Sequence, residues 1–260
     1  KINPTHVGAL NNIGITYKIQ GNLDAAVKKF QDAIKLDPDN VGLQHTLSAL
    51  TGKQTTSAPN DYIENLFDDY ASNFEHSLVE TLEYKVPELI AQLISEDQYG
   101  ISLETILDLG CGTGLAGVSL KNLCKSIQGI DLSKKMLTKA KQKNVYDKLN
   151  HIGVVEYLSE APLDFDLFVS ADVFVYVGEL SEIFRLIKSR NKRSGLFTFT
   201  TEHTEKNGFF LETSGRYSHS KGYIEKLCKK FNYTLRHFSN INLRKEKDDV
   251  INGGLYLLEF

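Results

Sequence analysis

Cysteine is scarce in this chain: Cys111, Cys124 and Cys228 are the only three in 260 residues. Their odd number and the lack of any C-x-x-C pair exclude a disulfide framework and argue for reduced thiols in a cytoplasmic setting. No apolar run approaches the length of a membrane span and no secretory leader is visible. The first residue is Lys1, which fits a piece of a longer gene product. A surplus of one charge sign is missing too. The net charge of −3 leaves no electrostatic footprint for nucleic acid. Lys134, Lys135, Lys139, Lys141 and Lys143 fall on an expected helix and read as its solvated face. His, Cys, Asp and Glu nowhere take metal-ligand spacing. Glu202 and His203 are adjacent at a strand end, so they point to opposite sides. What is present is ordinary for a globular protein, with 41% hydrophobic and 24% charged residues, enough for one domain and a small appendage.

Against that background one stretch stands out, Thr105-Ile106-Leu107-Asp108-Leu109-Gly110-Cys111-Gly112-Thr113-Gly114-Leu115-Ala116-Gly117. An apolar run carrying an acid passes into glycines at alternate positions, then into small and apolar residues at helical spacing. This predicts a strand, a tight turn and a helix start. Glycines suit a backbone that turns sharply and passes close under a ligand. Gly112 to Gly117 also satisfies the dinucleotide pattern G-x-G-x-x-G, a weak signal when alone. A second apolar run ends at Asp131, about 20 residues past the glycines, where a doubly wound fold sets a carboxylate against ribose hydroxyls.

With its acid two residues before the first glycine, D-L-G-C-G-T-G resembles motif I of the class I S-adenosylmethionine (SAM)-dependent methyltransferases. The resemblance covers residues 61–260 and implies a seven-stranded, mostly parallel, doubly wound α/β sheet whose last strand is antiparallel. It further implies that Asp108, Gly110, Cys111, Gly112 and Gly114 cradle the cofactor, with Asp131 and Leu132 at the ribose. Ser170, Ala171 and Asp172, in the motif IV region, are expected beside both cofactor and substrate. An acid for the adenine amino group is expected near 153 or 154, but those positions are Gly153 and Val154; Glu156 is the nearby carboxylate. Met136 either meets the adenine face or is core.

Residues 7–40 resemble one tetratricopeptide repeat of 34 residues. Leu10, Ile13, Gly14 and Tyr17 fit its first helix, and Ala26, Phe30, Ala33 and Pro38 its second. One further helix, Val41 to Leu50, caps it, giving a helical segment over 1–50. A single repeat cannot bury its own apolar face, so either earlier repeats precede it or it docks on the catalytic domain. A protein-docking arm and a helical cap are both open. Residues 51–60, polar with Gly and Pro, read as a linker. Tyr62, Leu66, Phe67, Tyr70 and Phe74 then form an aromatic stripe. F-D-D-Y-A-x-x-F resembles the segment that folds over the cofactor as a lid in small-molecule methyltransferases, so Tyr62 and Tyr70 are assigned to the cofactor.

Further along, Pro87 opens a helix to Glu96, and Ser133 caps one from Lys134 to Tyr146. Strands are expected at Ile152–Tyr157, Asp164–Ser170 and Gly195–Thr200, and helices at Glu179–Lys188 and Tyr223–Phe231. Tyr233–Leu243 and Leu255–Phe260, separated by a charged stretch and Gly253-Gly254, must pair antiparallel because no helix joins them. A nicotinamide-dependent oxidoreductase would instead continue with strand–helix units. Tyr176, Glu202, Arg216 and Tyr217 are candidates for the substrate, with Arg216 in a loop over 208–220 able to clamp a carboxylate or phosphate. Should the acceptor need to lose a proton, His203 and His219 are the candidate bases.

These features together resemble bacterial tetratricopeptide-repeat methyltransferases. They imply transfer of the SAM methyl group to an oxygen or nitrogen of a small-molecule or protein acceptor, releasing S-adenosylhomocysteine. The alternatives are a tetratricopeptide adaptor with a SAM-binding but inactive domain, and an NAD-dependent oxidoreductase.

Overall fold

In the computed structural model, residues 6–72, 74–75, 82–96, 103–246 and 249–260 are described. Asn73 of the aromatic stretch and Lys247 and Asp248 of the charged turn lie outside them, as do residues 1–5.

The sheet grows from β1 (Thr105–Leu109), which lies parallel between β2 (Ser126–Asp131) and β4 (Leu167–Ser170). β3 (Lys148–His151) adds to β2, and β5 (Leu196–His203) adds to β4, again in parallel. The long hairpin of β8 (Thr234–Glu246) and β9 (Asp249–Glu259) completes it, with β9 running antiparallel along β5. Seven strands thus stand in the order β3-β2-β1-β4-β5-β9-β8. Successive side chains point to opposite faces, so both faces must be covered. On one face Leu107, Phe168, Phe197 and Tyr256 meet α8 (Val154–Glu160), α9 (Ser181–Arg190) and α10 (Lys221–Phe231). On the other, their neighbours Ile106, Leu167, Leu196 and Leu257 meet α5 (Val86–Glu96) and α6 (Leu115–Leu120). These strands read as unbroken apolar runs because neither face meets water.

The helical unit is α1 (Val7–Ile19), α2 (Leu23–Leu36) and α3 (Val41–Thr51). Gly14 lets the first two helices close, since a Cβ there would sit 2.9 Å from the Phe30 ring. Asn22 and Asn40 cap α2 and α3 by accepting from the amides of Ala25 and Leu43. The stretch read as a linker is tied down along its length. Gln54 accepts from the Leu211 amide at 2.7 Å, and the Thr56 carbonyl accepts from Gly178 and Glu179. Ser57 bridges Val177, and the Ala58 amide donates to Tyr176. Its backbone, with the Gln54 side chain, hydrogen-bonds the α/β unit.

Several sequence expectations shift. The third strand ends at His151, and 154–160 is α8 despite the β-branched Val154 and Val155. β4 begins only at Leu167, because Asp166 turns its carboxylate onto the amides of Glu104 and Thr105. The helix after Ser133, α7 (Lys134–Gln142), stops short of Tyr146, which doubles back under the glycine turn. The loop over 208–220 is a small hairpin, β6 (Phe209–Leu211) and β7 (Tyr217–His219), added in parallel to the tip of β5. This short strand pair extends the expected sheet of seven to nine strands among the described residues.

Candidate active site

The turn after β1 is held by its own backbone. Gly110 and Cys111 both donate to the Ile130 carbonyl at 2.9 Å, and the Gly112 amide donates to Asp131 Oδ2 at 2.8 Å. Gly110, Gly112 and Gly114 all have positive φ, +75°, +52° and +92°, which glycine adopts without steric cost. They are packed differently. A Cβ on Gly110 would strike Val173 at 2.6 Å, whereas one on Gly112 would meet nothing within 4 Å. The edge at Gly112 is therefore bare backbone facing open space.

Asp131 shares that edge, its second oxygen accepting from the Ser133 amide at 2.8 Å. Burial raises its pKa, with the Ser133 and Gly112 amides opposing. Asp108 lies beneath. Tyr146 donates to its Oδ2 at 2.6 Å and accepts from the Gly117 amide at 3.2 Å, while its Oδ1 is buried without a partner. Burial pushes Asp108 up to about 7, against the Tyr146 hydrogen bond.

One cavity of about 590 Å³ opens above this turn. Around its glycine end stand Gly110, Gly112, Asp131, Leu132, Met136, Glu156 and Ala171, all candidates from the sequence. Ile152, Gly153, Val154 and Val155 join them without having been singled out as ligand contacts. The roof is α4 (Asn60–Tyr70), whose Tyr62, Leu66, Phe67 and Tyr70 face inward. It is pinned to α7: Asp68 accepts from the Ser133 hydroxyl at 2.5 Å and from the Lys135 amide at 3.3 Å. Phe67 meets Tyr176 edge-on at 5.4 Å and Phe74 at 6.1 Å, closing an aromatic wall.

At the far end the lining turns ionic. Arg244, from β8, donates to Asp172 Oδ2 at 2.5 Å and also to Glu202. Arg216 donates to Glu202 at 2.6 Å and also to Glu246. Burial opposes the charge on Arg244, but Asp172 and Glu202 outweigh it and its pKa is raised. Asp172 is raised by burial despite Arg244, with Glu202 adding to the rise. Its backbone is in the left-handed region at φ +60°, held by its amide on Thr200 at 2.9 Å.

The structure moves eight candidates away from the cavity lining. Asp108, Cys111, Gly114 and Ser170 lie inside or beneath the turn and the sheet, and Asp108 braces the turn through Tyr146. Glu202 sits behind the two arginines as their common partner. Tyr217 is fully buried and its hydroxyl bonds Thr55 at 2.5 Å, so it anchors the stretch over 51–60. His219 is fully buried, donates from Nε2 to the Gly178 carbonyl at 2.9 Å, and is pushed down to about 4 by burial. His203 pairs with Glu205 at 3.2 Å beside Phe238, outside the cavity. Arg216 does line the cavity, already paired with the buried Glu202 and the partly exposed Glu246.

A methyltransferase-domain family model matches residues 102–250, more than half of the chain. The chain belongs to that family. A tetratricopeptide-repeat model matches residues 7–40. Among curated relatives, a ubiquinone biosynthesis O-methyltransferase of Bordetella pertussis is 25% identical over 126 residues, which is 47% of this chain. The match spans about half of that relative's length, 52%. Among solved structures, the magnesium protoporphyrin IX methyltransferase of Synechocystis PCC 6803, with bound S-adenosylhomocysteine, superposes with a TM-score of 0.59 at 13% identity. It covers 77% of this chain and 98% of that one. A SAM-dependent methyltransferase from Clostridium acetobutylicum superposes with a TM-score of 0.55 at 19% identity, covering 75% and 99%. At these identities the structures establish a shared methyltransferase fold.

Proposed function

We propose that this chain transfers the methyl group of SAM to an oxygen or nitrogen of an acceptor held at the arginine end of the cavity. The observation that carries this is the bare edge at Gly112, where a Cβ would point into open space directly beside the Asp131 carboxylate. That cradle fits a nucleoside: one carboxylate with two oxygens suits two vicinal hydroxyls. Leu132, Met136, Ile152 and Val154 provide apolar flanks for a base, and Tyr70 and Ala171 line the path toward the acceptor end.

Bound SAM supplies a methyl group on a positively charged sulfur, an electrophile that needs no further activation. The chain's own contribution is then alignment and the exclusion of water. α4 roofs the cavity with aromatic side chains. With His203 and His219 both outside the lining, the reading assigns no imidazole base. The terminal β8–β9 hairpin speaks against a nicotinamide oxidoreductase, which would extend the sheet with strand–helix units. Residues 7–51 are read as a support behind the acceptor end, where His45 meets the Gly215 carbonyl, and as a protein-docking unit, and three unpaired thiols fit a reducing cytoplasm.

Calorimetric titration of S-adenosylhomocysteine and of NAD into the full chain tests the cofactor; binding of the first and not the second is expected. Isotopically labelled SAM, incubated with enzyme and lysate, should then deposit label in one acceptor. Tight NAD binding without S-adenosylhomocysteine binding would overturn the reading.

A further inference from the structure

The acceptor end of the cavity carries chemistry that narrows what can occupy it. Asp172, Arg216, Arg244 and Glu246 line it, with Glu202 behind them. Each guanidinium already holds two carboxylates: Arg244 takes Asp172 and Glu202, and Arg216 takes Glu202 and Glu246. The set therefore has one more carboxylate than guanidinium. Asp172 spends one oxygen on Arg244, and its other oxygen is buried without a hydrogen-bond partner. A carboxylate oxygen can only accept, so what is missing there is a donor. Around this group the walls are apolar or aromatic, with Tyr62, Phe67, Tyr84 and Tyr176 on the lining.

Resting on the methyltransferase reading, we infer that the acceptor is a small, largely apolar or aromatic molecule without an anionic group, oriented by a hydroxyl or amine that donates to Asp172. A carboxylate or phosphate is disfavoured by the same geometry. An anion brought to either arginine meets two carboxylates already paired there, and displacing the buried Asp172 or Glu202 would leave a carboxylate without its counter-ion. A hydroxyl or an ammonium group instead meets the unpartnered oxygen and leaves every existing pair intact. The earlier expectation that Arg216 clamps an anion gives way to a role in holding Glu202 and Glu246 in place.

The test uses the full chain saturated with S-adenosylhomocysteine and three probes of similar size: phenol, benzylamine as its ammonium form, and benzoate. Saturation-transfer NMR followed by competition titration reads their relative affinities. Phenol or benzylammonium should bind at least about tenfold more tightly than benzoate. Phenol ahead identifies hydroxyl acceptors, and benzylammonium ahead identifies amines. In Asp172→Asn the preference of benzylammonium over benzoate should collapse, because the charge is gone while an acceptor oxygen stays. Asparagine is among the residues that best tolerate the left-handed backbone found at this position, so this variant is expected to fold. Benzoate binding as tightly as the other two, or none of the three binding at millimolar concentration, overturns the inference while S-adenosylhomocysteine binding still stands. Failure of S-adenosylhomocysteine itself to bind marks the failure of the methyltransferase reading.

Discussion

At the glycine end of the cavity, the floor is one short turn and the tip of the adjacent strand, with bare backbone at Gly112, and apolar side chains from residues 132–155 flank it. At the arginine end, residues 172, 216, 244 and 246 come from three separate parts of the chain and act through charged side chains. The first is assembled as soon as β1 and β2 pair; the second waits for the β8–β9 hairpin and the β6–β7 hairpin to close on β5. A local site of backbone tolerates change in its surroundings but not in its own residues. A distributed ionic site depends on every member, because each charge is compensated only by the others.

The largest expected consequence follows from removing the hub of the ionic end. Arg244→Ala leaves Asp172 and Glu202 facing each other in a buried site, and should destabilise the fold by about 3–5 kcal/mol. Chemical denaturation reads this, and a loss below about 1 kcal/mol would break the contrast drawn above.

The glycine end has its own buried charge, with the opposite wiring. Asp108 titrates near 7 in the fold, above its ordinary value of 3.8. Between those values the folded state holds more protons than the unfolded chain, so stability falls as pH rises toward 7. Each unit of the rise corresponds to about 1.4 kcal/mol, so the loss is on the order of a few kcal/mol. Melting temperatures of the wild type and Asp108→Asn, compared from acid to neutral pH, should diverge, with the variant sparing this loss. Parallel curves would remove Asp108 from the account.

Gly112→Ala separates folding from binding at the same end. Its added Cβ meets nothing, so only the positive φ matters, about 1–2 kcal/mol of stability. Affinity for S-adenosylhomocysteine should fall at least tenfold, about 1.4 kcal/mol, because the bare edge is lost. Equal effects on both would mean the open space is not the cofactor's.

The smallest effect lies where the helical unit touches the acceptor end. His45 Nε2 donates to the Gly215 carbonyl at 2.9 Å, and Lys18 reaches the Ser214 carbonyl at 3.3 Å, next to Arg216. His45→Ala should cost about 1 kcal/mol and speed hydrogen exchange across residues 211–217. Unchanged exchange there would show that the helical unit does not support the hairpin.

How much of this was legible in the sequence follows the same division. The glycine turn, Asp131, the apolar strand runs and the terminal hairpin could be read because each depends on residues close in the chain. Tyr62, Tyr70, Met136 and Asp172, expected at the site from the family resemblance, line this cavity. Arg244 and Tyr146 were missed. Arg244 stands beside Lys245 and Glu246 in a charged stretch that reads as solvent-facing, and only the pairing of β8 with β9 turns it inward. Tyr146 follows a lysine-rich helix and reveals its role only when the chain folds back under Gly117. His219 and Tyr217 looked reactive because a polar cluster resembles a loop. As a strand pair tied to Gly178 and Thr55, the same residues are internal fasteners.

Calorimetry of S-adenosylhomocysteine with the wild type and with Asp131→Ala tests the central assignment most directly, since that carboxylate shares the open edge with Gly112. The account requires one binding site in the wild type and an affinity at least tenfold weaker in the variant, about 1.4 kcal/mol, in a protein that is still folded. Equal affinity in the two proteins would contradict it.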